Sequence, residues 1–353
     1  MSFRARLAAL LLLPVAALGA VACSSNGESD EVSAASAAPA STTTTEPPKA
    51  PAPLTGMLVK PESLEHAAVS VKVDNSPQGR PQAGLDKADV LFEEKVEGGV
   101  TRFIAVYHSQ ESELVGPIRS LRTTDAGIVS AVGGVFVFSD GVAITLKTLR
   151  GVPVETVSER QGAGPFTYPK GRTRPWATFG KTDELREAGD GEDGNAPQAL
   201  FSFLPVGSVF AGAPAAKVTV DFGGRTSAAL DWDAASGKWL RTTNGTAHNL
   251  SDGSRLSFTN VIVQRTSYRL VGYNDSAGNK VDEAVVVSSG EAVVLSNGLQ
   301  VKAKWSKASP GAPTVYTDAA TGQPIALTPG NTLVMLPPSG NAVNVTGPPA
   351  VNS

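Results

Sequence analysis

AAVSVKVDNSPQGRPQAGLDKADVLFEEKVEGGVTRFIAVYH, residues 67–108, decides how this chain folds. Its first seven residues alternate enough for a strand and stop at the turn cluster Asp74-Asn75-Ser76-Pro77. A second apolar stretch, 90–92, runs on into Glu93 and Glu94. Glu97-Gly98-Gly99 then breaks the chain, and 101–108 resumes as a strand with Phe103, Ala105 and Tyr107 on one face. Two strands flanking a short Gly-Gly connection predict a hairpin.

Working toward the C-terminus, Thr124 or Asp125 is placed to cap a helix over about 125–132, ended by Gly133-Gly134. Residues 135–138 read as a short buried strand, and Asp140 can cap a second helix over about 141–150. Helix, strand, helix in this tight order predicts a mixed α/β N-terminal domain over 54–205. Within it, 151–180 is rich in Gly and Pro, a surface loop of the kind that often carries function, and 183–188 is a short helix. From 206 to 338 short strands follow at 217–222, 229–232, 238–241, 259–265, 268–273, 283–288, 291–296, 299–305, 314–317 and 332–336. They are punctuated by Asn244-Gly245 and Asn297-Gly298, and this half reads as a β-rich C-terminal domain, a sandwich or barrel. The class expected overall is α+β, with a flexible tail over 339–353. Asn244, Asn249 and Asn344 fit the glycosylation sequon and are read as turn residues. Trp232, Trp239 and Trp305 are expected in strand packing, with Trp176 in its loop the exception.

Toward the N-terminus the text changes character. Arg4 and Arg6 precede an apolar run over 7–22 that is short for a membrane-spanning helix and fits a signal peptide, residues 1–22. It ends in Gly19-Ala20-Val21-Ala22-Cys23, which resembles a bacterial lipobox. The implied chemistry is diacylglycerol attachment to the Cys23 sulfur, cleavage before Cys23, and acylation of the new N-terminus by a chain such as palmitate; two or three chains anchor stably. Residues 23–53 are mostly Ser, Thr, Ala and Pro and read as a disordered tether. The expected location is the outer face of a bacterial cytoplasmic membrane, with the membrane itself a partner through the lipid.

Composition removes several function classes. One cysteine in 353 residues makes no internal disulfide and no Cys-rich metal site. Three scattered histidines argue against a His-built metal centre, and no cofactor motif occurs. His108 ends a strand and His248 sits in a turn, so both read as exposed polar residues. A net charge of -3 lacks the footprint of a nucleic-acid binder. No nucleophile elbow, S-x-x-K or H-E-x-x-H is present.

Candidate binding residues cluster between Asn75 and Arg122: Asn75, Arg80, Gln82, Glu93, Glu97, Thr101, Arg102, Arg119, Ser120 and Arg122. Arginine forks beside a helix start suit a phosphate or carboxylate. The same arginines can instead pair with Glu93 and Glu97 and pin strands to a helix; both readings stand at this point. Glu93 and Glu97, placed on one strand face, would lie about 13 Å apart if extended, too far for a glycosidase pair. The function expected is a non-catalytic envelope binding or accessory protein acting on a cell-wall polymer or a wall-synthesis protein. The alternative is a wall glycan or peptide hydrolase using Glu93 or Glu97.

The motifs also carry a resemblance. Asn75, Arg80-Pro81-Gln82, Gly84-Leu85, Ala88-Asp89, Glu93, Glu97-Gly98-Gly99, Thr101-Arg102, Gly116-Pro117 and Arg119-Ser120 fall in the pattern of the YerB-type lipoprotein family. The ending GQPIALTPGNTLVMLP, 322–337, is similar to that family's C-terminal domain. The resemblance spans about 55–340 and implies a lipoprotein signal and two domains of unknown function, with no activity supplied. Where the family carries Pro-His-Asn, this chain has Pro175-Trp176-Ala177. In cells fed a labelled lipid precursor the protein should take up label, and Cys23→Ala should take up none.

Overall fold

The computed structural model describes residues 48–347 apart from 163, 192, 193, 276 and 277, and omits the side chain of Gln161. The signal, Cys23, most of the tether and the end of the tail lie outside the described residues. Residues 67–108 form three strands: Val69–Asp74 (β1), Val90–Lys95 (β2) and Thr101–Tyr107 (β3). β2 and β3 pair antiparallel across Glu97-Gly98-Gly99, and β1 pairs antiparallel with the other edge of β3. Thr123–Val132 (α1) leads into Val135–Phe138 (β4), parallel to β1. Ala143–Thr148 (α2) leads into Glu155–Ser158 (β5), parallel to β4, and Thr182–Glu187 (α3) follows the long loop.

The second half adds Lys217–Asp221 (β6), Ser227–Asp233 (β7), Lys238–Thr243 (β8), Asn260–Gln264 (β9), Tyr268–Asn274 (β10) and Lys280–Ala284 (β11). It continues with Ser289–Ser296 (β12), Leu299–Ser306 (β13), Val315–Asp318 (β14), Thr332–Leu336 (β15) and Val343–Thr346 (β16). The segments on either side of residue 205 share one sheet, in the order β14-β13-β12-β9-β15-β2-β3-β1-β4-β5. β15 joins the halves by pairing parallel with both β9 and β2. A second sheet, built around β8-β7-β6-β16, covers one face of the first.

Both faces of the central sheet are buried, which explains why its strands carry near-continuous apolar text. On one face Val71, Leu91, Phe103, Val263 and Met335 meet Val218, Leu230 and Trp239 of the second sheet. On the other, Val90, Ile104, Phe136, Ile262 and Val334 meet Ile128, Val129 and Val132 of α1. The halves also touch through glycine. Gly99, at φ 72°, lies so close to Gly224 that an added Cβ would meet its Cα at 3.0 Å. The Arg225 amide donates to the Gly99 carbonyl there at 2.8 Å.

Among the described residues strands hold 40% and helices 12%, so the molecule is β-rich. Three sequence expectations need correction. The last described residues belong to the fold: β16 pairs with β6, which puts Asn344 opposite Thr219 in a strand rather than in a turn. The tether ends earlier than residue 53, because Ala50–Pro51 pairs with Leu58–Val59 and Ala52 is buried. The strand expected at 283–288 lies at β11 instead, in a hairpin with β10. Trp239 and Trp305 are core residues, as strand packing requires. Leu333, fully buried at the centre of β15, should lose about 2–5 kcal/mol on Leu333→Ala, read by urea unfolding.

Candidate functional site

Glu93 and Glu94 are neighbours in β2, and a pleated strand sends them to opposite faces. Glu93 enters the face covered by the second sheet. Its Oε1 accepts from Arg241 Nη2 at 2.8 Å, Thr101 Oγ1 at 2.8 Å and Asn75 Nδ2 at 3.2 Å. Gln82 extends this network: its Nε2 donates to Asn75 Oδ1 at 3.1 Å, and its Oε1 lies 2.9 Å from His248 Nε2. His248 is buried and held neutral, its pKa lowered to about 2 by burial and by the Arg241 charge. His108 is buried as well, beside His66, with its pKa lowered to about 4 by burial. Neither histidine is the exposed residue expected from its local text, because loops cover the strand end and turn that carry them.

On the face under α1, Lys72 Nζ meets the carboxylates of Glu94 and Asp125, at 2.6 Å for Asp125. Asp125 also accepts from the Arg122 amide at 2.7 Å, which caps α1 from its third residue. Glu97 belongs to this side too. β2 ends at Lys95, and the turn directs Glu97 to Arg122, whose Nε donates at 2.7 Å and whose Nη2 bonds the other oxygen. Arg102 Nη2 adds a 3.6 Å ion pair to Glu97, and its Nη1 donates to the Ser120 carbonyl at 2.6 Å. These arginines hold the Glu97 carboxyl down at about 2 against burial that raises it. Glu93 and Glu97 therefore do not share a strand face: each is committed to a different arginine in a different layer.

The remaining candidates face solvent. β1, β4 and β5 run parallel, and their C-terminal ends open into a cleft of about 480 Å³. Open α/β sheets bind ligands at this end. Ser139 and Asp140 follow β4, Glu159 and Arg160 follow β5, and Arg119 and Ser120 cross beside them. Tyr168, Arg174, Pro175 and Thr178 close the cleft from the long loop. Asp140 takes both oxygens to Arg160 Nη1, at 2.9 and 3.1 Å. Glu159 accepts from Thr178 Oγ1 at 2.8 Å and Tyr168 Oη at 3.0 Å, and pairs with Arg174 at 2.8 Å. Arg119 is half-buried; Nη1 donates to the Pro175 carbonyl at 3.2 Å, while Nε has only a 3.5 Å contact with Asp74. Its guanidinium lies 5.9 Å from the Trp176 ring.

Of the ten expected binding residues, Arg119 and Ser120 line this cleft, and Arg80 lines a separate one. The other seven are taken up in the two internal networks. Arg160, Arg174, Glu159 and Asp140 were missed as individuals. The turn-rich text of 151–180 points to the loop of Glu159, Arg160 and Arg174, and Asp140 reads as a helix cap, but nothing local shows that the loop folds over the ends of parallel strands. Lys72 and Arg241 give no local signal, since their partners are distant in sequence, and Asp125 reads only as a helix cap.

Burial pushes the Glu94 carboxyl up to about 7, with Lys72 opposing and Asp125 adding to the rise. The folded state then keeps a proton that the unfolded chain releases near 4.5, so stability falls as pH rises from 4.5 to about 7. Glu94→Gln, which keeps the uncharged form, should gain on the wild type across that window in denaturant titrations at successive pH values. A constant difference between the two would contradict this.

Residues 54–195 match the family described as "Protein of unknown function (DUF3048) N-terminal domain", and 218–334 match its C-terminal domain. The chain is 23% identical over 304 residues to "Putative lipoprotein YerB" of Bacillus subtilis (strain 168), covering 84% of this chain and 89% of that one. The crystal structure of the Bacillus subtilis YerB protein superposes with a TM-score of 0.72 at 23% identity, over 84% of this chain and 100% of that one. With both halves matched in order, and with a solved relative sharing the architecture, the chain belongs to the DUF3048 family of YerB-like proteins.

Proposed function

We propose that this protein is a lipid-anchored, extracytoplasmic binding protein that holds anionic groups of a cell-wall polymer in the cleft of Arg119, Arg160 and Arg174. The anchor is the lipid on Cys23, a reading supported by the lipobox text and by the lipoprotein name of the Bacillus relative. The observation that carries the binding reading is the make-up of the cleft. Three guanidiniums and the hydroxyls of Ser120, Ser139, Tyr168 and Thr178 face a solvent-open space with two carboxylates. Each carboxylate is already tied to an arginine, so neither is poised as a free base. Arginine forks and hydroxyl donors match phosphate or carboxylate oxygens.

The hydrolase alternative draws less support. Glu93 is fully buried beneath the second sheet, and Glu97 is clamped by Arg122. A catalytic carboxyl must reach its substrate within hydrogen-bond distance.

The lipidated protein in detergent micelles should be retained on purified cell wall without releasing fragments. Arg160→Ala with Arg174→Ala should weaken retention about tenfold or more, as expected when charge-assisted bonds worth about 1.5–3 kcal/mol are lost. Unchanged retention by that variant would remove the cleft from the reading. Soluble wall fragments lost on Glu93→Gln or Glu97→Gln would favour the enzyme.

A further inference from the structure

Arg80 stands apart from every other arginine of the motif region. It lines a second cleft, of about 360 Å³, between loop 75–82 and the turn after β8, with Pro77, Thr243, Thr246, His248 and Asn249. It is half-buried, yet among the described residues no hydrogen bond or ion pair engages its guanidinium. Burial lowers its pKa, and the neighbouring Arg241 lowers it further. Glu93 is the carboxylate beneath, and Arg241, Thr101 and Asn75 already occupy the one oxygen they reach. His248 is neutral. The Arg80 guanidinium therefore has only the longer-range pull of the buried Glu93 and Asp74 carboxylates, and it faces solvent. No carboxylate lines this cleft, so an anion entering it would meet no repulsion from the walls.

The two clefts are neighbours through one indole. Arg119, in the first, lies against Trp176. Trp176 Nε1 donates to Ser76 Oγ at 3.2 Å, and the next residue, Pro77, is a wall of the second. Arg172, from the same loop as Trp176, donates to the Gly79 carbonyl at 3.2 Å and to the Pro81 carbonyl. The half-buried indole thus links Arg119 of the first cleft to the loop that walls the second. Both clefts are rich in hydroxyls or amides, which suit an uncharged polyol between charges.

We propose that the two clefts form one extended site for a phosphodiester-linked sugar or polyol polymer. One phosphate sits at Arg119, Arg160 and Arg174, a later one at Arg80, and the linking polyol crosses Trp176. This rests on the reading of the first cleft as an oxyanion site. A polymer with one negative charge per repeat fits the arrangement because each cleft carries a surplus of one positive charge: three arginines against Asp140 and Glu159 in the first, Arg80 alone in the second. Engaging both clefts with one chain makes the second contact intramolecular and raises affinity without new groups.

The test is calorimetry on the full lipidated protein in detergent micelles, with polyglycerol phosphate, its monomer sn-glycerol 3-phosphate, and polyglutamate as probes. Polyglycerol phosphate should bind at least about tenfold tighter than the monomer, counted per repeat. Arg80→Ala and Trp176→Ala should each remove most of that advantage, while Arg80→Lys restores part of it. Thermal unfolding of each variant separates lost binding from lost folding. If Arg160→Ala weakens monomer and polymer while Arg80→Ala changes neither, the first cleft stands and the extended site falls. If Arg160→Ala changes neither probe, the reading of the first cleft falls with it. Polyglutamate binding as tightly as polyglycerol phosphate would overturn the assignment to a phosphodiester polymer.

Discussion

Glu93 and Glu94 impose the central constraint on this molecule. They are consecutive in a strand whose two faces are both covered, so two adjacent carboxylates must be neutralised in two different layers. Arg241 reaches Glu93 from the second sheet, with both side chains fully buried. Lys72 and Asp125 close on Glu94 beneath α1. Pairs of this kind add little net stability over a well-packed apolar core, but stranding one partner costs about 3–5 kcal/mol. Their effect is therefore on arrangement. A one-residue slip of β2 would exchange the two carboxylates and set each against the wrong layer.

The same pairing decides which cations remain at the surface. Glu93 is committed to Arg241, which leaves Arg80 without a carboxylate of its own. Glu97 is committed to Arg122 and Arg102, which removes both from solvent. Asp74 accepts from the Ser76 amide at 3.0 Å and the Ser76 hydroxyl at 2.8 Å, so it meets Arg119 only at 3.5 Å. The arginine-rich text between 75 and 122 thus divides by position. Residues whose carboxylate lies inside become structural, and Arg80 and Arg119 stay open.

Much of this architecture is legible in the text and some is not, for identifiable reasons. The β2–β3 hairpin, α1, β4 and β15 follow from apolar runs, Gly-Gly breaks and capping residues, all of them local signals. His248 reads as a turn residue because its neighbours Asn244, Gly245 and Asn249 are turn formers. It is buried because loop 75–82, some 170 residues earlier, brings Gln82 over it. β16 is hidden in Pro/Gly/Asn-rich text, since an edge strand draws its order from the partner β6 rather than from its own composition. Lys72 was invisible for a related reason. Ser70, Lys72 and Asp74 on alternate positions suggest a solvated face, and only the arrival of α1 turns that face inward.

The placement of β15 joins folding to the candidate site. Without it, β2 would be an unpaired edge carrying Val90, Leu91 and Phe92, the kind of edge that seeks other strands. Parallel strands need crossover connections, and β15 is separated from β9 by β10 through β14. The central sheet is thus complete only after nearly all of the chain is in place. The first cleft is lined wholly by residues within 119–178 and rests on β1, β4, β5 and the loop above them. The second needs β8 docked on the central sheet, because one wall is loop 75–82 and the other is the turn after Thr243. Arg241 sits on β8 and holds Glu93 on β2, so the buried pair that orders the layers also fixes the walls between which Arg80 is left unpaired.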